Sequence, residues 1–355
     1  MKIKSIKTWS ADLVNTKPYT IAFKTIDEVI NAFVEITLED GTTGIGAGSP
    51  SEYVTKEPLE STIATLTDNN LKFLVGREIS EINQLIFEAN AKFPKNPAVI
   101  AAIDIALHDA FTKFLKVPLV KYLGQKIKSM ATSNTIGIKN VEETLKEAQE
   151  YKERGFKILK VKLGIDLAED IERIEQLRKK FGNYFVIRID ANQGYDIDKT
   201  IEFVKKTKHL DVELIEQPLP AEDVAGLRKL PDEIRKTIAA DESLLSPKSA
   251  IELIKPPRAA GIFNIKLMKC GGISNALKIA SIAQLEGIEL FWGCNDESIV
   301  SITAALHVAF ACENTKYIDL DGSLDLGKDV VKGGFILQDG VMSCSDKPGL
   351  GVEKI

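Results

Sequence analysis

The sequence predicts an α/β protein, a modified (β/α)8 barrel of the TIM type with an N-terminal α+β capping domain. Three observations predict it. From about residue 133, eight short apolar strands recur, most of them separated by an amphipathic stretch of helical period. The strands are continuously apolar rather than alternating, as in a parallel sheet buried on both faces. The first hundred or so residues read differently, as a hairpin followed by helices. The expected organisation is a cap over 1–125, a barrel over 126–328, and a strand- and turn-like segment over 329–355 that returns to the cap.

Residues 1–10 alternate apolar and polar positions and predict a strand. Residues 32–37 and 43–48 flank Glu39-Asp40-Gly41, a hairpin signal. Helical periodicity follows over 57–66, 79–91 and 97–114. Two stretches rich in glycine, proline and polar residues, 15–25 and 48–56, are expected to be mobile loops. The barrel strands are expected over 134–138, 158–163, 186–190, 213–216, 237–241, 261–267, 288–292 and 317–320. Helices over 141–154, 167–181 and 274–286 fall between them.

Composition narrows the function. With 355 residues, 44% hydrophobic and 27% charged, the chain can bury a large core and is not a disordered protein. No apolar run approaches the roughly 18 residues of a membrane helix, and the lysine-containing N-terminus lacks the apolar stretch of a secretory signal. Lys+Arg is 46 and Asp+Glu is 51, with no basic block, so neither nucleic acid nor a membrane is an expected partner. Cys270, Cys294, Cys312 and Cys344 are widely spaced, which argues against a disulfide framework or structural zinc and fits a reducing cytoplasm. The three histidines form no ligand pattern, so any metal chemistry must rest on carboxylates.

In such a barrel, function sits at the C-terminal strand ends. Asp190, Glu216 and Asp241 end the third, fourth and fifth strands at intervals of 26 and 25 residues, one βα unit each, so the three carboxylates should converge. Three hard oxygen ligands favour Mg²⁺. Lys160 and Lys162, two apart on the second strand, share a face, and Lys266 lies on the sixth. In an eight-stranded barrel the second and sixth strands stand opposite, so Lys162 and Lys266 should face each other across the mouth. Two opposed lysines beside a divalent cation suggest α-proton removal on one face and proton return on the other. The cation would then bind the substrate carboxylate and neutralise the forming enediolate. Lys160 and the metal should lower the base's pKa.

These motifs, in this order, resemble the enolase superfamily and its muconate-lactonising subgroup. The motifs are KxK at Lys160/Lys162, DAN from Asp190 to Asn192, EQP from Glu216 to Pro218, ADE from Ala240 to Glu242, and KxxKxGG from Lys266 to Gly272. The resemblance spans nearly the whole chain, and within the subgroup it is closest to the dipeptide epimerases. It implies that Asp319 and Asp321, in a DxDG at the eighth strand, clamp a dipeptide's free ammonium group. Lys160 contacts the substrate carboxylate, and Asn192, Glu242, Cys294 and Glu297 support the site. The first capping loop, with Thr16-Lys17-Pro18-Tyr19 and Lys24-Thr25, places Lys24 where members acting on alanyl-glutamate present an arginine. The expectation is a Mg²⁺-dependent epimerase converting L-Ala-L-Glu to L-Ala-D-Glu from recycled cell-wall peptide, with oligomeric state left open. The alternatives are hydrophobic or cationic dipeptides, or a lyase of the o-succinylbenzoate synthase or muconate cycloisomerase type. An acidic clamp would repel the dianionic acids that those lyases use.

Overall fold

The computed structural model describes residues 1–16, 19–21, 24–26 and 28–355, without the side chains of 19–21 and 24–26. Its cap opens with β1 (Ile3–Asp12), the short hairpin β2 (Tyr19–Ile21) and β3 (Lys24–Ile26), and then β4 (Ile30–Leu38) and β5 (Thr43–Gly48). β4 pairs antiparallel with both β1 and β5. The turn between β4 and β5 falls on the Glu39-Asp40-Gly41 signal, with Gly41 at φ +86°. Helices α1 (Leu59–Thr65), α2 (Ile82–Lys92) and α3 (Pro97–Phe114) cover the sheet. The helix expected from residue 79 begins with a 3-10 turn over Ile79–Glu81.

α3 is buried along nearly its whole length, and the reason is written in β5. Gly44, Gly46 and Gly48 alternate along that strand and so share one face. They lie against Ala98, Ala102, Ala106 and Ala110; a Cβ added at Gly46 would come within 1.9 Å of the Ala102 carbonyl oxygen. On the opposite face Ile45 and Ala47 join the barrel's core cluster, together with Phe33, Ala101 and Ile105. Polar contacts also tie α3 down. Asp109 accepts from Ile45 N at 2.9 Å and Leu350 N at 2.8 Å, and Asp104 accepts from Ser274 N at 3.0 Å.

After α4 (Leu119–Tyr122) and β6 (Ser129–Ala131), the barrel strands follow. They are β7 (Asn134–Ile136), β8 (Ile158–Lys162), β9 (Val186–Asp190), β10 (Val212–Glu216), β11 (Ile238–Ala240), β12 (Ile262–Ile265), β13 (Glu289–Trp292) and β14 (Thr315–Ile318). They form one eight-stranded sheet in sequential order, and every adjacent pair is parallel. β7 and β14, at its two ends, meet through the bridge Thr132↔Ile318.

Between the strands lie α5 (Val141–Glu153), α6 (Leu167–Phe181), α7 (Ile197–Thr207), α8 (Val224–Lys229), α9 (Asp232–Arg235), α10 (Pro247–Ile254), α11 (Leu267–Cys270), α12 (Ile273–Leu285) and α13 (Ile299–Ala311). Several start on side-chain caps, as short βα loops require. Asn140 caps α5, Asp166 α6 and Asp196 α7, and Ser246 and Ser249 form a capping box at α10. The eighth strand was expected over 317–320 but ends at Ile318. Asp319 and Asp321 therefore stand on the loop just beyond it. β15 (Val331–Gly333), β16 (Phe335–Gln338), β17 (Val341–Cys344) and β18 (Val352–Lys354) complete the chain, with β17 pairing to β6 and Lys354 Nζ 2.5 Å from Glu35 Oε2 of β4. Among the described residues no helix is long and apolar enough to cross a membrane.

The α3–β5 contact yields a prediction. Gly46→Ala forces the helix off the strand, and overpacking of this kind costs about 1–3 kcal/mol. The thermal midpoint should fall by several degrees, measured by circular dichroism. Gly41→Ala, where a Cβ would meet nothing within 4 Å, should cost less, even at its positive φ.

Candidate functional site

The strand ends carry charge that the interior cannot leave unpaired. Lys160 and Lys162 sit on alternate positions of β8, 3% and 9% exposed. The β8–β9 register sets Lys162 opposite Asp190, with Nζ 2.6 Å from Oδ2. Glu216 ends β10 in register with Asp190, and Asp241 follows β11. Lys160 Nζ stands among three carboxylates, 2.8 Å from Glu216 Oε2, 2.9 Å from Asp319 Oδ2 and 3.2 Å from Asp190 Oδ2. On the other side Lys266 Nζ lies 2.7 Å from Asp241 Oδ2, and Lys269 pairs with Asp241 Oδ1 while donating to Asn264 O at 3.0 Å. β8 and β12 are four strands apart in the sheet order, so Lys162 and Lys266 belong to opposite sides of the mouth.

The site holds more acid than base. Asp190, Glu216, Asp241, Glu242, Glu297, Asp319 and Asp321 face four ammonium groups, those of Lys160, Lys162, Lys266 and Lys269. The titration shifts follow. Burial opposes ionisation of Asp190 and Asp241, but their lysines outweigh it and hold both well below the usual carboxylate range. Glu216 is held well above its ordinary value by burial and by Asp190 beside it. Burial raises Glu242, Glu297 and Asp321 to about 7, with Asp241 adding to the first and Asp319 to the last. Burial pushes Lys160 and Lys266 down, but the carboxylates around them prevail and hold both above their ordinary value. Lys269 is lowered by burial.

Asp190, Glu216 and Asp241 suit a hard divalent cation: three oxygen donors on neighbouring strand ends, each at most 1% exposed. Glu216 Oε2 is not in line for any hydrogen bond, although Lys160 Nζ is near it. Among the described residues no three His, Cys, Asp or Glu side chains close into a finished ligand cage. Ammonium groups stand between these carboxylates instead, so a cation would share the acids with them.

The remaining residues fall in three places. Asp319 accepts from Ser133 Oγ at 2.6 Å, and Asp321 accepts from Thr135 N at 2.7 Å. Cys294 Sγ lies 3.2 Å from Asp319 O and 3.8 Å from Asp321 Oδ1. Asn192 Nδ2 reaches Glu242 Oε1 at 3.5 Å, and Glu297 Oε1 accepts from Asn295 N at 2.8 Å. Lys24 lies in the β2–β3 hairpin, and its side chain is outside the described residues. The second loop touches the loop after β13, with Ser49 Oγ 2.9 Å from Asp296 O.

The sequence reading gave no role to several residues that hold this site. Gln217, at φ +31°, accepts from Asp241 N at 3.0 Å and Ser243 Oγ at 2.9 Å, and so sets the fifth strand end. The signal was the EQP motif itself. Lys269 was visible in KxxKxGG. The pocket at the mouth is also lined by Glu147, Tyr151, Asp296 and Asp325. Nothing in the sequence separates Glu147 from the solvated acids beside it on α5.

Two family models match the chain: the mandelate racemase / muconate lactonizing enzyme N-terminal domain over residues 5–124, and the enolase C-terminal domain-like model over 143–354. An L-Lys-D/L-Arg epimerase from Desulforapulum autotrophicum is 51% identical over all of both chains. An L-Ala-D/L-Glu epimerase from Bacillus subtilis is 34% identical, over 99% of this chain and 97% of its own. The dipeptide epimerase of Methylococcus capsulatus, crystallised with Mg and the dipeptide L-Arg-D-Lys, superposes with a TM-score of 0.98 at 49% identity, covering 99% of each chain. The chain belongs to the enolase superfamily, in its mandelate racemase/muconate lactonizing family.

Glu216→Gln keeps the side-chain volume and the amide acceptor for Asn264 Nδ2, 3.0 Å from Oε1, but removes a charged oxygen donor. Calorimetric titration should show Mg²⁺ affinity falling by about tenfold or more, with an unchanged far-ultraviolet spectrum. Unaltered Mg²⁺ binding would remove Glu216 from the ligand set.

Proposed function

We propose that this member of the enolase superfamily is a Mg²⁺-dependent dipeptide epimerase that inverts the α-carbon of the C-terminal residue and favours cationic dipeptides. The charge of the pocket carries this reading. Glu147, Asp296, Asp319, Asp321 and Asp325 line it, against Lys160 and Lys162; Lys160 is paired with Asp319, Lys139 lies 2.6 Å from Glu147 and Arg154 3.6 Å from Asp325, so acids still exceed cations by one. A cationic side chain entering such a pocket meets complementary charge, and an anionic one meets repulsion in a partly desolvated space. Relatives named for L-Lys-D/L-Arg epimerisation, at 51% and 49% identity, support the same choice. The sequence reading put L-Ala-L-Glu first on the strength of Lys24. The acids of the pocket outnumber that lysine, and they also disfavour the dianionic substrates of the lyase alternatives.

In this mechanism Asp190, Glu216 and Asp241 would hold the Mg²⁺. The bound ion would supply positive charge to the substrate's C-terminal carboxylate and to the negative charge that builds as the α-proton leaves. Asp319 and Asp321 receive the N-terminal ammonium as a charge-assisted clamp. With both ends of the dipeptide backbone fixed, the second α-carbon lies between Lys162 and Lys266. One lysine takes the proton from one face, and the other gives a proton to the opposite face. Atoms balance, and the product differs only in configuration.

Epimerisation followed by polarimetry should give L-Lys-L-Arg a kcat/KM about tenfold or more above that of L-Ala-L-Glu, the size expected for one charge-assisted contact. A preference for L-Ala-L-Glu would reverse the substrate reading and leave the epimerase reading standing. Lys266→Ala should abolish two-way turnover while still exchanging the α-proton of one isomer with D₂O. Normal turnover in that variant would exclude a two-base mechanism.

A further inference from the structure

A buried guanidinium inside the barrel has no part in the reaction described above. Arg188 lies on β9, two residues before Asp190 and in register with Lys160 of β8, and is 3% exposed. Its Nε donates to Glu213 Oε2 at 2.6 Å, and its Nη1 donates to Ile318 O at 3.0 Å and approaches Ser133 Oγ at 3.5 Å. The guanidinium carbon lies 5.5 Å from the Phe291 ring centre and 5.1 Å from that of Tyr317. A planar fork can satisfy these directions together, whereas an ammonium cannot.

The contacts fall where the barrel closes. At that seam Ser133 N also donates to Ile318 O, at 3.2 Å. Ile318 directly precedes Asp319, so holding its carbonyl sets the chain on which Asp319 stands. Ser133 has a single hydroxyl proton. With Arg188 Nη1 at the oxygen's lone pair, that proton has two acceptors in reach, Ile318 O at 3.3 Å and Asp319 Oδ1 at 2.6 Å, and the nearer, charged oxygen takes it. In the Arg188–Glu213 pair the guanidinium is buried while Glu213 is 33% exposed, so desolvation on one side and solvent screening on the other leave it little net stabilisation. Closing the seam alone does not require it.

The geometry points to Arg188 as a positioning residue for the substrate's α-ammonium: it fixes the Ile318 carbonyl and, through Ser133, orients Asp319. This inference rests on the reading that Asp319 and Asp321 clamp that ammonium.

The test uses the full chain with Mg²⁺ and two substrates, L-Lys-L-Arg and its Nα-acetyl form, which has no α-ammonium. The unaltered protein should favour the free amine. Arg188→Met, which keeps bulk and removes the donors, should cut that preference by about tenfold, mainly through KM. Ser133→Ala leaves Arg188 and its Glu213 pair in place and should cut the preference in the same direction, so the inference stays testable if Arg188→Met does not fold. A general loosening of the barrel would lower both substrates by one factor. That outcome, or an unchanged preference in Ser133→Ala, overturns the inference. Equal rates on the two substrates in the unaltered protein would instead defeat the ammonium reading, and the inference with it.

Discussion

The structure depends on one electrostatic constraint: a surplus of carboxylates at the mouth of a barrel packed mostly with apolar side chains. Buried ions are tolerated only when paired and hydrogen-bonded. Here the pairing is shared rather than one-to-one. Lys160 serves Asp190, Glu216 and Asp319 at once, while Asp241 takes both Lys266 and Lys269. Glu216, between these two groups, is raised well above its ordinary value by burial and by Asp190 beside it. The unbalanced charge at the centre suits a divalent cation, and that at the Asp319–Asp321 edge suits an ammonium group. With a cation at the centre, a dipeptide's carboxylate would meet positive charge there and its ammonium negative charge at the edge.

A charged mouth of this kind needs a rigid frame and a cover. The frame is the parallel register, which places Asp190 beside both Lys162 and Glu216 without any loop. The cover is the cap, held by the close approach of β5 to α3. α3 in turn packs on α11, the short helix that carries Lys269 directly after Lys266. Asp104 reinforces that junction through Ser274 N, and the two are 170 residues apart in sequence. Packing in the cap and placement of Lys266 and Lys269 are therefore linked through a single helix.

Much of this was legible in the sequence because it follows from period and spacing. The strand ends at Asp190 and Glu216 fall on the expected residues, the second barrel strand ends at Lys162, one residue short of Leu163, and α3 and α6 have their expected limits. Strand ends moved by a residue or more where the last residues bond through side chains. Thr132 Oγ1 accepts from Leu320 N, which takes the chain of the eighth unit out of the ladder after Ile318. What stayed illegible was contact across the barrel. No spacing rule brings Ser133 to Asp319 or Arg188 to Ile318, since these contacts exist only once the first and last strands meet.

The charges around the lysines show the same limit in another form. From the sequence, Lys160 and a bound cation are the charges expected beside Lys162. That expectation counts neighbours along one strand. In the folded protein the nearest charges come from other strands and are acids: Asp319, Glu216 and Asp190 around Lys160, and Asp241 beside Lys266. Coulomb energy falls with distance and not with sequence separation. The charge of the pocket follows the same rule. A single lysine in a capping loop is conspicuous in the sequence, yet the charge of the pocket is set by Glu147 from α5, Asp296 from the loop after β13, and Asp319, Asp321 and Asp325 from the chain after β14. Three separate segments each add an acid to one space, and only folding sums them.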